Sequence, residues 1–278
     1  MRQWLGRTVV GVACVALLAA GCGGDDDEAG TPSSGNPQTT PPTTAAPAAD
    51  PAAYCTAEAA IEVAPAADTS AAVSDEEVAS VLQTWATQTL QPLVGPVVAA
   101  APEDVSAEIQ VMADAVDQLS ATGDATALQS PEFLAASDTV HAYDLATCGW
   151  TQVDVTTTEY RFDGIPTETP AGVTTFEVAN EGAEPHELRI FRKADGVTTP
   201  AAELLALPED QLAGQAEMVG TGEFVDPADD GYFVADLAAG DYFAACSVPV
   251  GSTSDAGPPD PNAPHHYDEG MVSEFTVT

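Results

Sequence analysis

Between Tyr54 and Gly149 apolar residues recur at steps of three and four, the period of an α-helix, and Gly and Pro fall mainly at segment edges. Ser74 followed by Glu77 is a capping-box signal, with Val78, Val81, Leu82 and Trp85 on one face behind it. Pro92 and Pro96 predict a kink in that helix or its end. A second helix is predicted from about Glu103, striped by Val105, Ile109, Met112, Val116 and Leu119. A third opens at Ser130-Pro131, with Ser as N-cap and Pro in the first turn, and ends near Gly149. With a short helix near Ala57, these predict a small antiparallel bundle over residues 53–150.

After Trp150 the texture changes to alternating, β-rich runs. These are Thr151 to Phe162, Val173 to Ala179, Glu187 to Phe191, Tyr232 to Leu237, Asp241 to Val248 and Glu274 to Val277, separated by Gly/Pro turns. Residues 151–278 therefore read as an all-β domain. Ala201 to Leu212 is predicted to form a helix on its side, and Gly251 to Pro264 a loop rich in Pro, Asp and Gly.

The first residues form a leader. Met1 to Arg7 is short and basic, Val9 to Ala20 is apolar, and small residues lead into Cys22. About a dozen apolar residues cannot span a bilayer, which takes roughly 20, so residues 1–21 read as a signal peptide. The run Leu17-Leu18-Ala19-Ala20-Gly21-Cys22 resembles the bacterial lipobox, although Leu18 stands one place early and Ala19 fills its slot. That resemblance implies an acylated Cys22 that anchors the protein to the extracytoplasmic face of the cell membrane. The alternative is an ordinary secreted protein cut after a small-residue site. Residues 22–52 are Gly, Asp, Pro, Thr, Ser and Ala with little apolar surface to bury, which predicts a disordered tether.

Charge narrows the partners. The chain has 44 acidic against 6 basic residues, and Arg2 and Arg7 lie in the leader. So anionic a surface repels phosphate backbones, excludes nucleic acid as a partner, and favours cations or a cationic partner protein; solvation in a salty medium explains the charge equally well.

Five cysteines are present; Cys14 leaves with the leader and Cys22 takes the lipid. Cys55 and Cys148 bracket the helical region, an antiparallel bundle can bring its ends together, and export supplies an oxidising compartment, so these two are paired as a disulfide. Cys246 remains a lone thiol, either a small buried hydrophobe or a ligand.

Three of the four histidines lie in the β region with it. By the period-two rule His186 shares a face with Leu188 and Ile190, and Cys246 shares one with Tyr242 and Ala244, so both point inward near strand ends. His265, His266 and Met271 follow. Two imidazoles, a thiolate and a thioether suit copper, with zinc as the chemical competitor. Met271 is otherwise core filler, Trp85 and Trp150 are packing residues, and His141, alone on a helix, is a surface or bundle-packing residue.

Three segments carry a family resemblance. They are Phe176-Glu177-Val178-Ala179-Asn180-Glu181-Gly182-Ala183-Glu184-Pro185-His186, then Gly240-Asp241-Tyr242-Phe243-Ala244-Ala245-Cys246, then His266-Tyr267-Asp268-Glu269-Gly270-Met271 ahead of Phe275-Thr276-Val277. In this order they resemble the plastocyanin- and azurin-like cupredoxins, over most of residues 151–278. For residues 151–278 the resemblance implies an all-β cupredoxin-like Greek-key sandwich, so that with the small helical bundle read from periodicity the chain is expected to be α+β and multidomain. The resemblance also implies one copper ion held by His186, Cys246 and His266 in plane and Met271 axial, with His265 as a substitute, for blue-copper electron transfer or copper handling. One departure stands out: 19 residues lie between Cys246 and His266, where the family has only a few. Either the long loop bulges outward and returns the histidine to its place, or it abolishes the site. In the second case the chain is a metal-free module binding an envelope protein. An enzyme is not expected, because four histidines cannot supply a multicopper cluster and no nucleophile elbow, Walker loop or zinc-protease motif is present.

Overall fold

In the computed structural model, which describes residues 50–278 apart from 70, 223, 255–259 and 261, the bundle helices precede Cys148 and the strands, with two short helices among them, follow Trp150. The signal peptide, the Cys22 anchor and nearly all of the tether lie outside the described residues.

Helix α1 (Pro51–Glu62) opens where the Asp50 carboxylate accepts from the Ala52 N–H, so this helix takes in the last two residues of the expected tether. Helix α2 (Asp75–Trp85) starts at the predicted cap: Ser74 accepts from Glu77 N, while the Glu77 carboxylate reaches back to Val73 N. Pro92 and Pro96 do not end this helix. A π turn over Ala86–Leu90 leads into α3 (Gln91–Ala100), and Pro92 sits in the first turn of α3, where a missing N–H costs little. Helix α4 (Ser106–Thr122) stops at Gly123, whose φ of 73° and close approach to the Ala79 carbonyl exclude any side chain. Helix α5 (Pro131–Thr147) begins on the Ser130 cap read from sequence. The disulfide Cys55–Cys148 then joins α1 to the end of α5 across 93 residues of chain.

The β part has nine strands among the described residues: β1 (Thr151–Thr158), β2 (Arg161–Asp163), β3 (Glu168–Thr169), β4 (Gly172–Asn180), β5 (Arg189–Lys193), β6 (Ala216–Thr221), β7 (Asp230–Leu237), β8 (Gly240–Ala245) and β9 (Val272–Val277). They form two mixed sheets, ordered β2-β1-β4-β7 and β3-β9-β8-β5-β6, with β1–β4 and β3–β9 parallel and the remaining pairs antiparallel. Alternate residues fill the space between them, Val153, Val155, Phe176 and Val178 from one sheet against Ile190, Tyr242, Ala244, Phe275 and Val277 from the other. The sandwich expected from the sequence is thus present. The run Thr151 to Phe162 is broken into a hairpin at Glu159-Tyr160, and the insertion helix is two short ones, α6 (Ala201–Leu205) and α7 (Glu209–Leu212), parted by Pro208. Strand β6 was not legible, since its residues Glu217 and Met218 are exposed and Gly220 interrupts any alternation.

Helices and sandwich form one compact unit, and a polar seam joins them. His141 on α5 is buried, stacks on Tyr232 of β7 with ring centroids 3.4 Å apart, and lies 2.6 Å from the Glu177 carboxylate of β4. Its packing role therefore reaches past the bundle into the sheet. Ser137 and Tyr232 share a hydrogen bond of 2.8 Å beside it. Deeper in, the Tyr54 hydroxyl donates to Asp144, and Glu58, 1% exposed, has one carboxylate oxygen without a hydrogen-bond partner among the described residues. Burial, reinforced by the Asp144 charge, pushes the Glu58 carboxyl up to about 8, and burial raises Asp144 to about 6.

A carboxyl whose pKa is higher folded than unfolded stabilises the fold while protonated and loses that contribution as pH rises through the folded value. Urea midpoints are therefore expected to fall between pH 6 and 8, the window in which Glu58 and Glu62, the latter raised by burial to about 7, ionise after Asp144. Glu58→Gln should flatten that fall. A wild-type midpoint constant across the window would show that Glu58 titrates normally.

Candidate metal centre

The end of β4 sets up the first imidazole. Asn180, 2% exposed, donates through Nδ2 to the Glu184 and Val225 carbonyls and accepts from Gly182 N, each at 2.8 Å, folding residues 181–185 into a tight turn. Gly182 lies against His186; a Cβ there would come within 2.9 Å of Nε2. His186 is then pinned by a two-way backbone bridge to Val225 (3.1 and 2.8 Å).

Cys246 follows β8, its carbonyl accepting from Tyr267 N at 3.0 Å and its sulfur facing the Glu187 N–H at 3.5 Å. Beyond it the chain leaves on the long excursion and returns antiparallel to itself. His266 N donates to Val248 O and Val250 N to Pro264 O, both at 2.8 Å, with Pro249 and His265 bridged between them. The ladder at the base of the loop, rather than the length of the loop, fixes where His266 arrives. A turn over Tyr267–Gly270 brings Met271 N back to His266 O at 3.0 Å.

These elements bring three of the expected ligands together. The Nδ1 atoms of His186 and His266 are 3.1 Å apart, and the Cys246 sulfur lies 3.4 Å from His266 Nδ1 and 4.0 Å from His186 Nδ1. All three residues are 0% exposed. Among the described residues this is the group of His, Cys, Asp or Glu whose donor atoms converge closely enough to hold a metal ion. An ion about 2.0–2.3 Å from each nitrogen and sulfur would separate the donors by roughly 3.3–3.8 Å, close to what is observed.

Hydrogen bonding alone does not satisfy the pair. His266 Nε2 lies 3.1 Å from the Glu184 carboxylate, which accepts a hydrogen bond from it, so the proton stays on Nε2 and Nδ1 is left as a lone pair. If His186 gives an Nδ1 proton to that lone pair, its own Nε2 is a buried acceptor with no hydrogen-bond partner among the described residues, facing Glu159 at 3.9 Å. If the proton sits on Nε2, two lone pairs abut at 3.1 Å. A cation between them resolves both conflicts, so the residues fit a metal ion.

Electrostatics agree with neutral donors. Burial, with His266 beside it, lowers His186 to about 4; burial also lowers His266, against the pull of Glu184; and burial raises the Cys246 thiol to about 12. A metal ion would replace the thiol proton rather than compete with an imidazolium.

The other two expected ligands differ in their placement. Met271 is 0% exposed in the same core cluster as Cys246. His265 does not serve as a substitute: its side chain is 37% exposed, stacks on Tyr267, and has Nδ1 3.5 Å from Asp268, because the return strand turns consecutive residues to opposite faces. Sequence reasoning missed Asn180 as an organiser and Glu184 and Glu159 as carboxylates facing the imidazoles; in so acidic a chain nothing singled out those two glutamates.

No protein-family model and no curated protein matches the chain. Among solved structures it is similar to reduced auracyanin from the photosynthetic bacterium Roseiflexus castenholzii, at 22% identity over 46% of this chain and 97% of that one, TM-score 0.30. It is also similar to auracyanin A, a "blue" copper protein from Chloroflexus aurantiacus, at 19% identity over 47% and 100% of the two chains, TM-score 0.31. Rusticyanin from Thiobacillus ferrooxidans is 16% identical over 46% and 78%, TM-score 0.29. At these TM-scores the likenesses add no weight to the site, which stands on its own distances.

Asn180→Ala removes two donors and an acceptor from a buried turn and strands Gly182 N and the Glu184 carbonyl, at a cost of about 1–3 kcal/mol. Chemical denaturation of the metal-free protein should report that loss, and Asn180→Asp, which supplies no donor, should not restore it. Wild-type stability in both variants would mean that the turn is held by other contacts.

Proposed function

We propose that the chain holds one copper ion between His186, Cys246 and His266, with Met271 as the axial ligand, and serves in single-electron transfer or copper handling outside the cytoplasm. The observation that carries this is the buried meeting of two imidazole nitrogens and one sulfur within 4.8 Å of one another. When bound, copper supplies a one-electron couple, and a two-nitrogen, one-sulfur donor set with a weak axial thioether is its characteristic environment in electron carriers. The chain's own part is to keep the donors still. The bridge to Val225 holds His186, the ladder Val248–His266 holds the second imidazole, and the Glu187 N–H orients the sulfur.

Location and partners belong to the same proposal. The lipobox-like run ending at Cys22 supports a lipid anchor, and the disulfide Cys55–Cys148 suits an oxidising compartment. Among the described residues no helix is long and apolar enough to cross a membrane. A formal net charge of −38 favours a cationic electron-transfer partner. No substrate chemistry is assigned, so the chain is proposed as a carrier or holder rather than an enzyme.

A metal-free binding module has one observation on its side: the 3.1 Å contact between the imidazoles also has the length of a hydrogen bond. Titration with Cu(II) separates the two. Intense visible thiolate-to-copper absorption with one equivalent bound is expected, and Cys246→Ser should abolish the colour. A wild-type protein that stays colourless and binds no copper would leave the metal-free module standing.

A further inference from the structure

Glu184 touches three parts of the structure at once. Its Oε2 accepts from His266 Nε2 at 3.1 Å and from Gly251 N at 2.7 Å, and its Oε1 faces the Tyr160 hydroxyl at 3.4 Å. One carboxylate thus ties the second imidazole to the start of the long excursion and to the β1–β2 hairpin. The Tyr160 ring covers the same imidazole, with centroids 4.9 Å apart. The backbone of Glu184 is fixed in turn: its N–H donates to Glu159 Oε1 at 2.9 Å, and the Ala183 N–H donates to the same oxygen. Glu159 is also the carboxylate 3.9 Å from His186 Nε2. The outer nitrogen of each imidazole therefore faces an anion, while the inner nitrogens face each other and the sulfur.

Such an arrangement has two physical consequences. A carboxylate accepting from one ring nitrogen fixes the tautomer and leaves the other nitrogen as a lone-pair donor of increased basicity. Fixed negative charge near an ion also favours the state of higher positive charge. We propose that Glu184 is a positioning residue of the metal centre, which locks His266 with its proton on Nε2, aims Nδ1 at the ion, and biases bound copper toward the divalent state. The bias toward Cu(II) rests on the copper reading above; the tautomer lock does not.

Two measurements on the whole chain test the role separately. In the metal-free protein, imidazole nitrogen NMR is expected to show His266 protonated on Nε2. That preference should be lost in Glu184→Ala and kept in Glu181→Gln, which removes an exposed carboxylate three residues away. In the copper-loaded protein, Glu184→Gln keeps an acceptor but loses the charge. It is expected to weaken Cu(II) relative to Cu(I) about tenfold, a rise of about 59 mV in the one-electron potential, with Glu181→Gln leaving the potential in place. A wild-type His266 protonated on Nδ1 overturns the tautomer lock. An unchanged potential in Glu184→Gln overturns the redox bias. A chain that takes up no copper defeats the copper reading and the bias together, and the NMR result still decides whether Glu184 positions His266.

Discussion

Two imidazole nitrogens and a thiol sulfur, crowded within 4 Å in a pocket that water does not reach, set the terms for the whole β part of this chain. Each donor is held from a different element: the β4 turn delivers His186, the end of β8 delivers Cys246, and the returning ladder delivers His266. Desolvation disfavours the charged form of each, and the hydrogen bond from His266 to Glu184 leaves its Nδ1 as a lone pair facing the other ring and the sulfur. The cost of burying unmatched donors is recovered only if something positive enters between them. Rigid donors of this kind would let a bound ion exchange an electron with little rearrangement.

The helical layer is fastened to this sandwich by polar contacts as well as apolar ones. His141 and Tyr232 form a stacked pair across the seam, and the acids beneath, Glu58 and Asp144, are tolerated because burial favours their protonated forms. Pairing α1 with the end of α5 through Cys55–Cys148 closes the layer over that seam. Among the described residues the thiol that the disulfide leaves over is the one in the pocket, so their cysteine chemistry divides into a crosslink in the helices and a free sulfur in the sandwich.

Local signals in the sequence carried much of this. Ser74 and Ser130 cap helices where their side chains announced it, and the period-two faces of His186 and Cys246 do point inward. The run from His266 to Met271, which carried part of the resemblance, folds as a turn that returns Met271 N to His266 O. What could not be read depends on contacts distant in sequence. The excursion after Cys246 looked able to destroy the site because loop length was visible and the Val248–His266 pairing at its base was not. Glu184 was one acid among 44, and its role appears only once Gly251 and His266 are folded onto the same oxygen. His265, adjacent to a ligand candidate, is turned out by the strand pleat that turns His266 in. Strand β6 carries so little alternation that only its pairing with β5 defines it.

The central claim, that this pocket is built around a metal ion, is tested most directly by crystals of the protein grown with copper and measured at the copper absorption edge. The account predicts a single strong anomalous peak enclosed by His186 Nδ1, His266 Nδ1 and Cys246 Sγ. Copper scattered over the acidic surface or at the exposed His265, with the pocket holding only its side chains, would contradict it.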